Sequence, residues 1–250
     1  MKRCYFLSDL HLETQYANFP YHLFESNTKD WLFIVGDTFT YLDKSIDCYY
    51  DFVLMLAYSF EKVFIVLGNH DYYGYTLRGG LNKLKFNLKK LKNVIVLDHT
   101  TQFQEQDIAI FGDTLWSNIP SQAESWIEGF GDFAQIKGTY ASNLTVYETN
   151  DWNTDARKSL QLFLKSPAKT KIVLTHFPPF YINCGYPDSL SNYYFGNSGL
   201  EWEIDDFPDY WIYGHIHNQL CYHQMGCNFL TNPRGYGTEG KDLLLNYIEV

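Results

Sequence analysis

Short apolar runs recur along the chain, and glycine or polar residues directly follow most of them. The run at 63–67 is β-branched and aromatic, shows no helical period and ends at Gly68, so it predicts a buried strand. By the same criteria, strands are predicted at 3–7, 31–35, 94–97, 108–111, 171–175, 210–213, 228–231 and 243–250.

Other stretches carry apolar residues at helical spacing. The leucines between 81 and 91 predict an amphipathic helix with lysines on its outer face. Helices are also predicted at about 44–58 and 154–165, and the pattern Ser198-x-x-Glu201 has the form of a capping box that begins a short helix. The segment 121–147 mixes glycines with aromatics and indicates no regular element.

The alternation of strands and helices is typical of an α/β fold with a largely parallel sheet. The segment 177–209 is rich in Pro, Gly, Asn and Tyr, which predicts a long functional loop. The sequence of 250 residues shows no internal repeat, low-complexity tract or linker. We therefore expect a single domain over residues 1–250.

Polar side chains that can bind metal follow the predicted strands. In chain order they are Asp9, His11, Asp37, Asn69, His70, His176, His215 and His217. Open α/β sheets place their sites at the carboxyl ends of strands, and five of the eight histidines fall there. Taken singly, each aspartate is better explained as a helix cap or turn residue. The recurrence is what indicates a metal site.

The spacing within two of these groups predicts a shared direction. In an extended segment residues i and i+2 point the same way, so Asp9 with His11, and His215 with His217, should each face one side. Imidazole, carboxylate and amide donors without thiolate suit Mn, Fe, Zn, Co or Ni. Seven ligands exceed the needs of one ion, so two ions about 3.5–4 Å apart are predicted. Asp37, on a tight glycine turn, is the expected bridge.

Composition narrows the class of protein. The formal net charge is −10, whereas a protein that binds duplex nucleic acid needs a basic surface that faces the phosphates. The five cysteines are scattered and form no Cys-x-x-Cys pair, which is not a disulfide framework and favours a reducing setting. No apolar stretch has the length of a membrane span, and the apolar run at 4–7 is too short for a signal peptide. We therefore expect a cytoplasmic protein without a membrane partner.

Five motifs, taken together and in order, resemble those of the calcineurin-like metallophosphoesterase family. They are Asp9-x-His11, Gly36-Asp37, Gly68-Asn69-His70-Asp71, Thr175-His176 and Gly214-His215-x-His217. The resemblance spans 9–217 and implies a four-layer α/β/β/α sandwich of two mixed sheets. It also implies that one ion is held by Asp9, His11 and His217 and the other by Asn69, His176 and His215, with Asp37 between them.

The resemblance further implies phosphoester hydrolysis by a metal-activated hydroxide, with manganese as the first choice of metal. His70 is the histidine of the family that is not a ligand, and we expect it to donate a proton to the leaving alkoxide or to hold a phosphoryl oxygen. Asn69 is a second expected substrate contact. Arg234 is a third, because 232–235 is similar to a segment that approaches the site in relatives. Asp71 either holds the turn, which we favour, or orients His70.

The chain departs from two branches of that family. Ser/Thr protein phosphatases carry Asp and Arg at the third and fourth positions after the aspartate of Gly-Asp, and here those positions are Thr40 and Tyr41. Pyrophosphohydrolases of the lipid A pathway share the opening at 8–12 but carry Arg in place of His70. The remaining candidate substrate is a small phosphoester, either a monoester or a diester. His70 favours the diester, since an alkoxide leaving group gains most from an acid.

Two alternatives come from other classes of protein. A nuclease acting on single strands could stack bases on aromatic side chains, although packing beneath loops is the commoner role of such residues; the candidates are Tyr72, Tyr73, Tyr75, Tyr193, Tyr194 and Phe195. A non-catalytic scaffold on the same fold predicts eroded ligands, and all seven are present. His22, His99 and His223 are assigned to structural or surface roles, and the sequence identifies no protein partner.

Overall fold

The computed structural model describes residues 2–15, 19–24, 27–40, 42–140, 142–182, 190–239 and 242–250. Tyr41, whose identity separates the chain from the protein phosphatases, lies outside the described residues. So do Cys184 and the rest of 183–189 within the predicted loop.

The strands form two sheets. Their bounds are β1 Arg3–Leu7, β2 Asn27–Val35, β3 Phe60–Val66, β4 Val94–Val96, β5 Gln102–Glu105, β6 Ile108–Asp113, β7 Thr170–Thr175, β8 Tyr210–Tyr213, β9 Cys221–Gln224, β10 Cys227–Thr231 and β11 Asn246–Glu249. The first sheet has the order β11-β1-β2-β3-β4 and the second the order β5-β6-β7-β8-β10-β9. Inner strands pair in parallel, whereas the edge strands β11, β5 and β9 pair antiparallel, so both sheets are mixed.

The helices lie between and after these strands. Their bounds are α1 Leu12–Gln15, α2 Leu42–Ser59, α3 Leu77–Leu88, α4 Glu124–Ile127, α5 Gly131–Gln135 and α6 Val146–Leu164. Short 3₁₀ turns occur at Tyr21–Phe24, His70–Tyr72, Ser191–Tyr194, Leu200–Trp202 and Gly237–Glu239.

Alternate residues of the inner strands enter two different apolar layers. Phe33 and Phe64 of the first sheet pack between the sheets, together with Ile110 and Leu174 of the second. The neighbouring residue Leu32 belongs to the core that contains the apolar residues of the helices. Helices α2 and α3 contact the first sheet, and α6 contacts β6 of the second. The expected α/β/β/α order is therefore confirmed, and burial on both faces explains why these strands read as continuous apolar runs.

The predicted strands are all present, but two polar strands were missed. β5 and β9 are edge strands with exposed or half-buried side chains, so they carry no apolar run to detect. In segment 121–147, where no element was predicted, the structure has α4, α5 and the start of α6.

One predicted helix start was wrong, and a second prediction was right about a short helix but wrong about its cap. Helix α6 begins at Val146 rather than near 154, because Thr145 and Glu148 form a capping box in which each side chain binds the other's backbone N–H. The pattern at Ser198 and Glu201 forms no such box. There the 3₁₀ turn Leu200–Trp202 begins after Gly199, which has φ 75° and makes no side-chain cap.

Hydrogen bonds connect the loops at the carboxyl ends of the strands, both within each sheet and between the two sheets. After β1, the Asp9 N–H donates to Gly36 O, at the end of β2, over 3.0 Å. In the second sheet, Gly214 N–H donates to His176 O, also over 3.0 Å. Across the sandwich, His215 N–H donates to Asp9 Oδ1 over 2.9 Å. The chain segments that follow β1, β2, β3, β7 and β8 therefore meet at one edge of the molecule.

Candidate metal centre

The structure brings all seven predicted metal ligands to this edge. Donor atoms of Asp9, His11 and His217 lie within 4.8 Å of one another, and so do those of Asp37, His176 and His215. Asn69 joins the second group, because its Oδ1 lies 2.9 Å from His176 Nε2. A third group whose donor atoms are equally close consists of His11, Glu13 and His70, and it shares His11 with the first.

In the first group, ring nitrogens face one another at close range. His11 Nε2 lies 3.2 Å from His217 Nε2, and His217 Nε2 lies 3.4 Å from Asp9 Oδ1. Behind the rings, His217 Nδ1 lies 2.6 Å from Glu239 Oε1, and His11 Nδ1 lies 3.3 Å from Glu13 Oε1. A carboxylate that accepts from Nδ1–H leaves the lone pair on Nε2, which is the arrangement of a metal-ligating histidine.

The second group shows the same arrangement. His176 Nδ1 lies 3.0 Å from the Val35 carbonyl oxygen, so a proton there leaves Nε2 as an acceptor opposite Asn69 Oδ1. Among the described residues, His215 Nε2 and Asp9 Oδ2 are buried without a hydrogen-bond partner. Buried acceptors without a donor are costly. A set of facing and orphaned N and O acceptors fits a divalent cation and lacks the sulfur donors of a thiolate site.

Asp37 lies between the two groups. Its Oδ2 is 3.8 Å from His11 Nε2 and 3.4 Å from His176 Nε2, while its Oδ1 accepts the backbone N–H of His70 over 2.9 Å. One carboxylate oxygen therefore faces both sets of donors.

The ligand residues have an unusual backbone. Non-glycine residues with left-handed φ values between 42° and 69° include Asp9, His11, Asp37, His215 and His217. The expectation that 9–11 and 215–217 are extended was therefore wrong, and the paired directions arise from left-handed residues instead. Such residues cost about 1–3 kcal/mol each, and they cluster at functional sites. Asp and His are among the side chains that enter this region most readily.

Two glycines permit close approach of the ligand loops. Gly36 has φ 86°, and a Cβ there would collide with the His176 ring. A Cβ on Gly68 would collide with the Asp37 carboxylate. These glycines are required at their positions because the ligand side chains pass directly over the backbone.

Asp71 holds the turns rather than contacting the site. It accepts backbone N–H groups from Asp37 at 2.9 Å, Thr38 at 3.2 Å, Phe39 at 3.1 Å and Gly68 at 2.8 Å. The carboxylate thus ties the loop after β2 to the loop after β3. These contacts support the turn role that we favoured from the sequence.

Electrostatics within the centre are dominated by histidine–carboxylate pairs. Burial alone would raise the pKa of Asp37, but the charges of His176 and His70 hold that pKa well below its usual range. Burial opposes charge on His176, yet Asp37 outweighs it and raises the pKa of His176 to about 9. Burial and the charge of His176 lower the pKa of His215 well below its usual range, which leaves a neutral ring. A divalent ion at this place would replace protons, as ligand binding to metals usually requires.

His70 lies beside the first group between two tyrosines. Its ring centroid is 4.8 Å from that of His11, and its Nε2 lies 3.2 Å from Tyr236 Oη. Tyr73 stacks on the His70 ring at 4.6 Å, with its hydroxyl 3.5 Å from Nε2. Tyr236 also stacks on His11 at 4.2 Å and is 37% exposed, so it borders the open side of the centre.

Arg234 lies near the centre through its backbone. Its N–H donates to Ser8 O over 3.1 Å, so segment 232–235 does approach the ligand loops. The guanidinium lies over the Phe19 ring at 5.1 Å, and its Nη1 is buried without a partner among the described residues. The residue that reaches His11 and His70 is Tyr236, which directly follows this segment and which the sequence reasoning missed.

Glu13 and Glu239 were also missed. Glu13 has a sequence signal, since it follows His11 by two positions, whereas nothing near Glu239 in the sequence relates it to His217. His99, which was assigned a structural role, is buried and its Nδ1 lies 2.9 Å from Asp113 Oδ2. Among the six aromatic residues considered for base stacking, Tyr72 and Tyr194 are buried, and Tyr73 stacks on His70.

The sequence is similar to those of known proteins. A family model described as calcineurin-like phosphoesterase matches residues 2–219. Protein L509 of Acanthamoeba polyphaga mimivirus, which is uncharacterized, is 29% identical over 261 residues, covering 94% of this chain and 91% of that protein.

Solved structures show the same fold. Phosphopantetheinyl hydrolase (PptH) of Mycobacterium tuberculosis aligns with a TM-score of 0.68 at 20% identity, over 95% of this chain and 91% of the other. The calcineurin-like phosphoesterase YfkN of Bacillus subtilis aligns with a TM-score of 0.51 at 13% identity, over 94% and 82% of the two chains. Within the described residues, no helix combines the length and apolar character needed to cross a membrane.

Proposed function

Because the chain belongs to the calcineurin-like phosphoesterase family, we propose that it hydrolyses phosphoester bonds with the help of two divalent metal ions. The observation that supports this most directly is the position of Asp37 Oδ2, 3.8 Å from His11 Nε2 and 3.4 Å from His176 Nε2. A carboxylate between two sets of donors suits a pair of ions that share one ligand.

In this proposal one ion is held by Asp9, His11 and His217, the other by Asn69, His176 and His215, and Asp37 contacts both. Manganese is the first candidate, and Fe, Zn, Co and Ni suit the same donors. When bound, two such ions would lower the pKa of water to about 7 and offset charge on the phosphoryl oxygens.

The chain itself supplies orientation and a proton. Glu13 and Glu239 hold the His11 and His217 rings with Nε2 towards the centre. His70 lies beside this group without belonging to either predicted ligand set, and its imidazole can give a proton to the leaving oxygen or hold a phosphoryl oxygen. Its half-buried position between two tyrosines keeps the ring near the reacting groups.

The proposed substrate is a small phosphoester, with a diester preferred over a monoester. The net charge of −10 disfavours long polyanions. The name of one structural neighbour, a phosphopantetheinyl hydrolase, is in keeping with a small substrate. A nuclease acting on single strands is the second candidate, because the partly exposed Tyr236 ring beside His70 could stack on a base.

Turnover of three substrates, with and without added Mn²⁺, tests the proposal. We expect Mn²⁺-dependent hydrolysis of bis(p-nitrophenyl) phosphate that exceeds hydrolysis of p-nitrophenyl phosphate. Faster cleavage of a single-stranded oligonucleotide would favour the nuclease. Stoichiometric metal binding with no turnover of any of the three would favour a non-catalytic scaffold and would contradict the proposal.

A further inference from the structure

A buried carboxylate from an unexpected part of the chain lies behind the metal centre. Asp132 belongs to α5, within the segment for which the sequence predicted no element, and is 4% exposed. Three side chains donate to it: Asn69 Nδ2 to Oδ1 over 3.1 Å, Tyr73 Oη to Oδ1 over 2.6 Å, and Tyr194 Oη to Oδ2. Two of these three donors belong to the candidate site.

The first connection determines which way the Asn69 amide points. With Nδ2 on Asp132, the amide oxygen faces His176 Nε2 at 2.9 Å, where an ion would need an oxygen. Rotating the amide by half a turn would place its oxygen against the Asp132 carboxylate, which repels it. In the absence of Asp132 the amide would lose the acceptor that holds its Nδ2, so its orientation would no longer be fixed from that side.

The second connection reaches His70. The Tyr73 hydroxyl donates its proton to Asp132 in a charge-assisted bond, so only oxygen lone pairs remain for other contacts. Those lone pairs face His70 Nε2 at 3.5 Å, with the two rings stacked at 4.6 Å. Burial, followed by the charge of Asp132, raises the pKa of Tyr73, which keeps this hydroxyl protonated. Tyr73 can therefore only accept from His70 Nε2, which favours a proton on that nitrogen.

We infer that Asp132 is a positioning residue that holds Asn69 as an oxygen ligand and, through Tyr73, orients His70 for proton transfer. The His70 part rests on the proposed function. The Asn69 part requires only that the centre binds metal.

The variant Asp132→Asn tests both connections. We expect its affinity for Mn²⁺, measured by calorimetry on metal-stripped protein, to fall by about 10- to 100-fold, the usual effect of losing a group that orients a ligand. Its kcat on bis(p-nitrophenyl) phosphate at saturating Mn²⁺ should fall more than its KM changes. Asp151→Asn, the same exchange at an exposed position of α6, should change neither quantity.

Tyr73→Phe separates the two connections. This variant keeps the hydrogen bond from Asn69 to Asp132, so its Mn²⁺ affinity should stay within about twofold of wild type. Its kcat should fall by about 10-fold or more, because His70 loses the Tyr73 hydroxyl. Tyr147→Phe, at a position that is 78% exposed, is the matched control. This variant also keeps the inference testable should Asp132→Asn fail to fold.

Wild-type Mn²⁺ affinity in Asp132→Asn would overturn the Asn69 connection, and wild-type kcat in Tyr73→Phe would overturn the His70 connection. A wild-type protein that binds Mn²⁺ but turns over nothing would refute the proposed function alone. In that case a weakened Mn²⁺ affinity of Asp132→Asn would still support the role of Asp132 in holding Asn69.

Discussion

The histidine rings of the metal centre are directed by the acceptors behind them. His217 has Glu239 at Nδ1, His11 has Glu13, and His176 has the Val35 carbonyl oxygen. Each acceptor fixes the proton on Nδ1 and leaves Nε2 for a ligand. At the scale of a residue, the site is therefore defined by partners as much as by the ligands themselves.

Replacing Glu239 with Gln should weaken metal binding without removing a ligand. The change neutralises the carboxylate that lies 2.6 Å from His217 Nδ1, so the ring loses its strongest orienting partner. We expect the Kd for Mn²⁺ to rise by about 10-fold or more. Equilibrium dialysis against Mn²⁺ measures this, with Glu124→Gln on the exposed face of α4 as the matched control. An unchanged Kd would show that Glu239 is not needed for ring orientation.

Replacing His70 with Ala should separate metal binding from turnover. His70 belongs to neither predicted ligand set, so metal content should stay near that of wild type. Turnover should fall by about 10²-fold or more, because an acid at the leaving group is lost. Elemental analysis and steady-state kinetics give the two quantities, and His223→Ala at an exposed position is the control. Loss of metal from the variant would show that His70 is itself a ligand.

Replacing Asp37 with Asn should empty the centre. Its Oδ2 faces donors of both groups, and an amide oxygen carries no charge to offset two cations. Asn tolerates the left-handed backbone of this position, so the loop should keep its shape. We expect less than one ion per chain by elemental analysis. Two bound ions per chain would argue against the bridging role.

At the scale of elements, Asp113 connects the end of β6 to the loop that follows β4 and to helix α6. It accepts from the His99 N–H and lies at 2.9 Å from His99 Nδ1, and it also accepts from Trp152 Nε1 of α6 at 3.1 Å. Burial of His99 lowers its pKa, but the hydrogen bond and charge of Asp113 outweigh burial and raise the pKa above its usual value.

This pair predicts a pH-dependent contribution to stability. Because the folded-state pKa of His99 is raised, its stabilising effect is complete below about pH 6.5 and is lost as the pH rises through the raised value. The difference in free energy of unfolding between wild type and His99→Gln should therefore be larger at about pH 6 than at about pH 9. Urea denaturation measures it, and taking the difference cancels titration at distant sites. A difference that grows with pH would contradict the assignment.

The sequence predicts those elements whose buried residues form a continuous or periodic apolar pattern. Residues 63–66 of strand β3 are apolar on both faces, and the glycine at position 68 indicates a turn. The edge strand β9 is polar, and α5 is a single turn within a glycine-rich stretch, so neither carries a periodic signal. Thr145-x-x-Glu148 has the same form as Ser198-x-x-Glu201, and only the first of the two forms a capping box. Local pattern alone does not say which of two boxes the tertiary structure uses.

The same distinction applies to the site. Residues such as Asp9 and His215 follow strands directly, so the sequence locates them. Their left-handed backbone was not foreseen, because it depends on hydrogen bonds such as that from His215 N–H to Asp9 Oδ1, formed between distant segments. Asp132, Tyr236 and Glu239 likewise reach the centre only through the fold.

At the scale of the whole molecule, the donors come from both sheets. Asp9, Asp37 and Asn69 follow strands of the first sheet, whereas His176 and His215 follow strands of the second. An ion at the centre therefore binds only when the two sheets are correctly packed, and it should stabilise that packing.

Metal addition should accordingly raise the unfolding temperature. A ligand present at 100 times its Kd contributes about 2.7 kcal/mol, and each kcal/mol shifts Tm by about 2–4 °C in a chain of this size. We expect Mn²⁺ to raise Tm by about 5–10 °C relative to chelator-treated protein, measured by calorimetry. Asp37→Asn should show little of this shift. An equal shift in both proteins would place the stabilising ion elsewhere.

The seven metal donors are divided between the two halves of the chain. A nick at Tyr140, which is 92% exposed, would leave four of the seven donors on the first fragment and His176, His215 and His217 on the second. Neither piece alone carries the complete coordination set. Uptake of the cation pair by a mixture of the two pieces would thus report their non-covalent reunion.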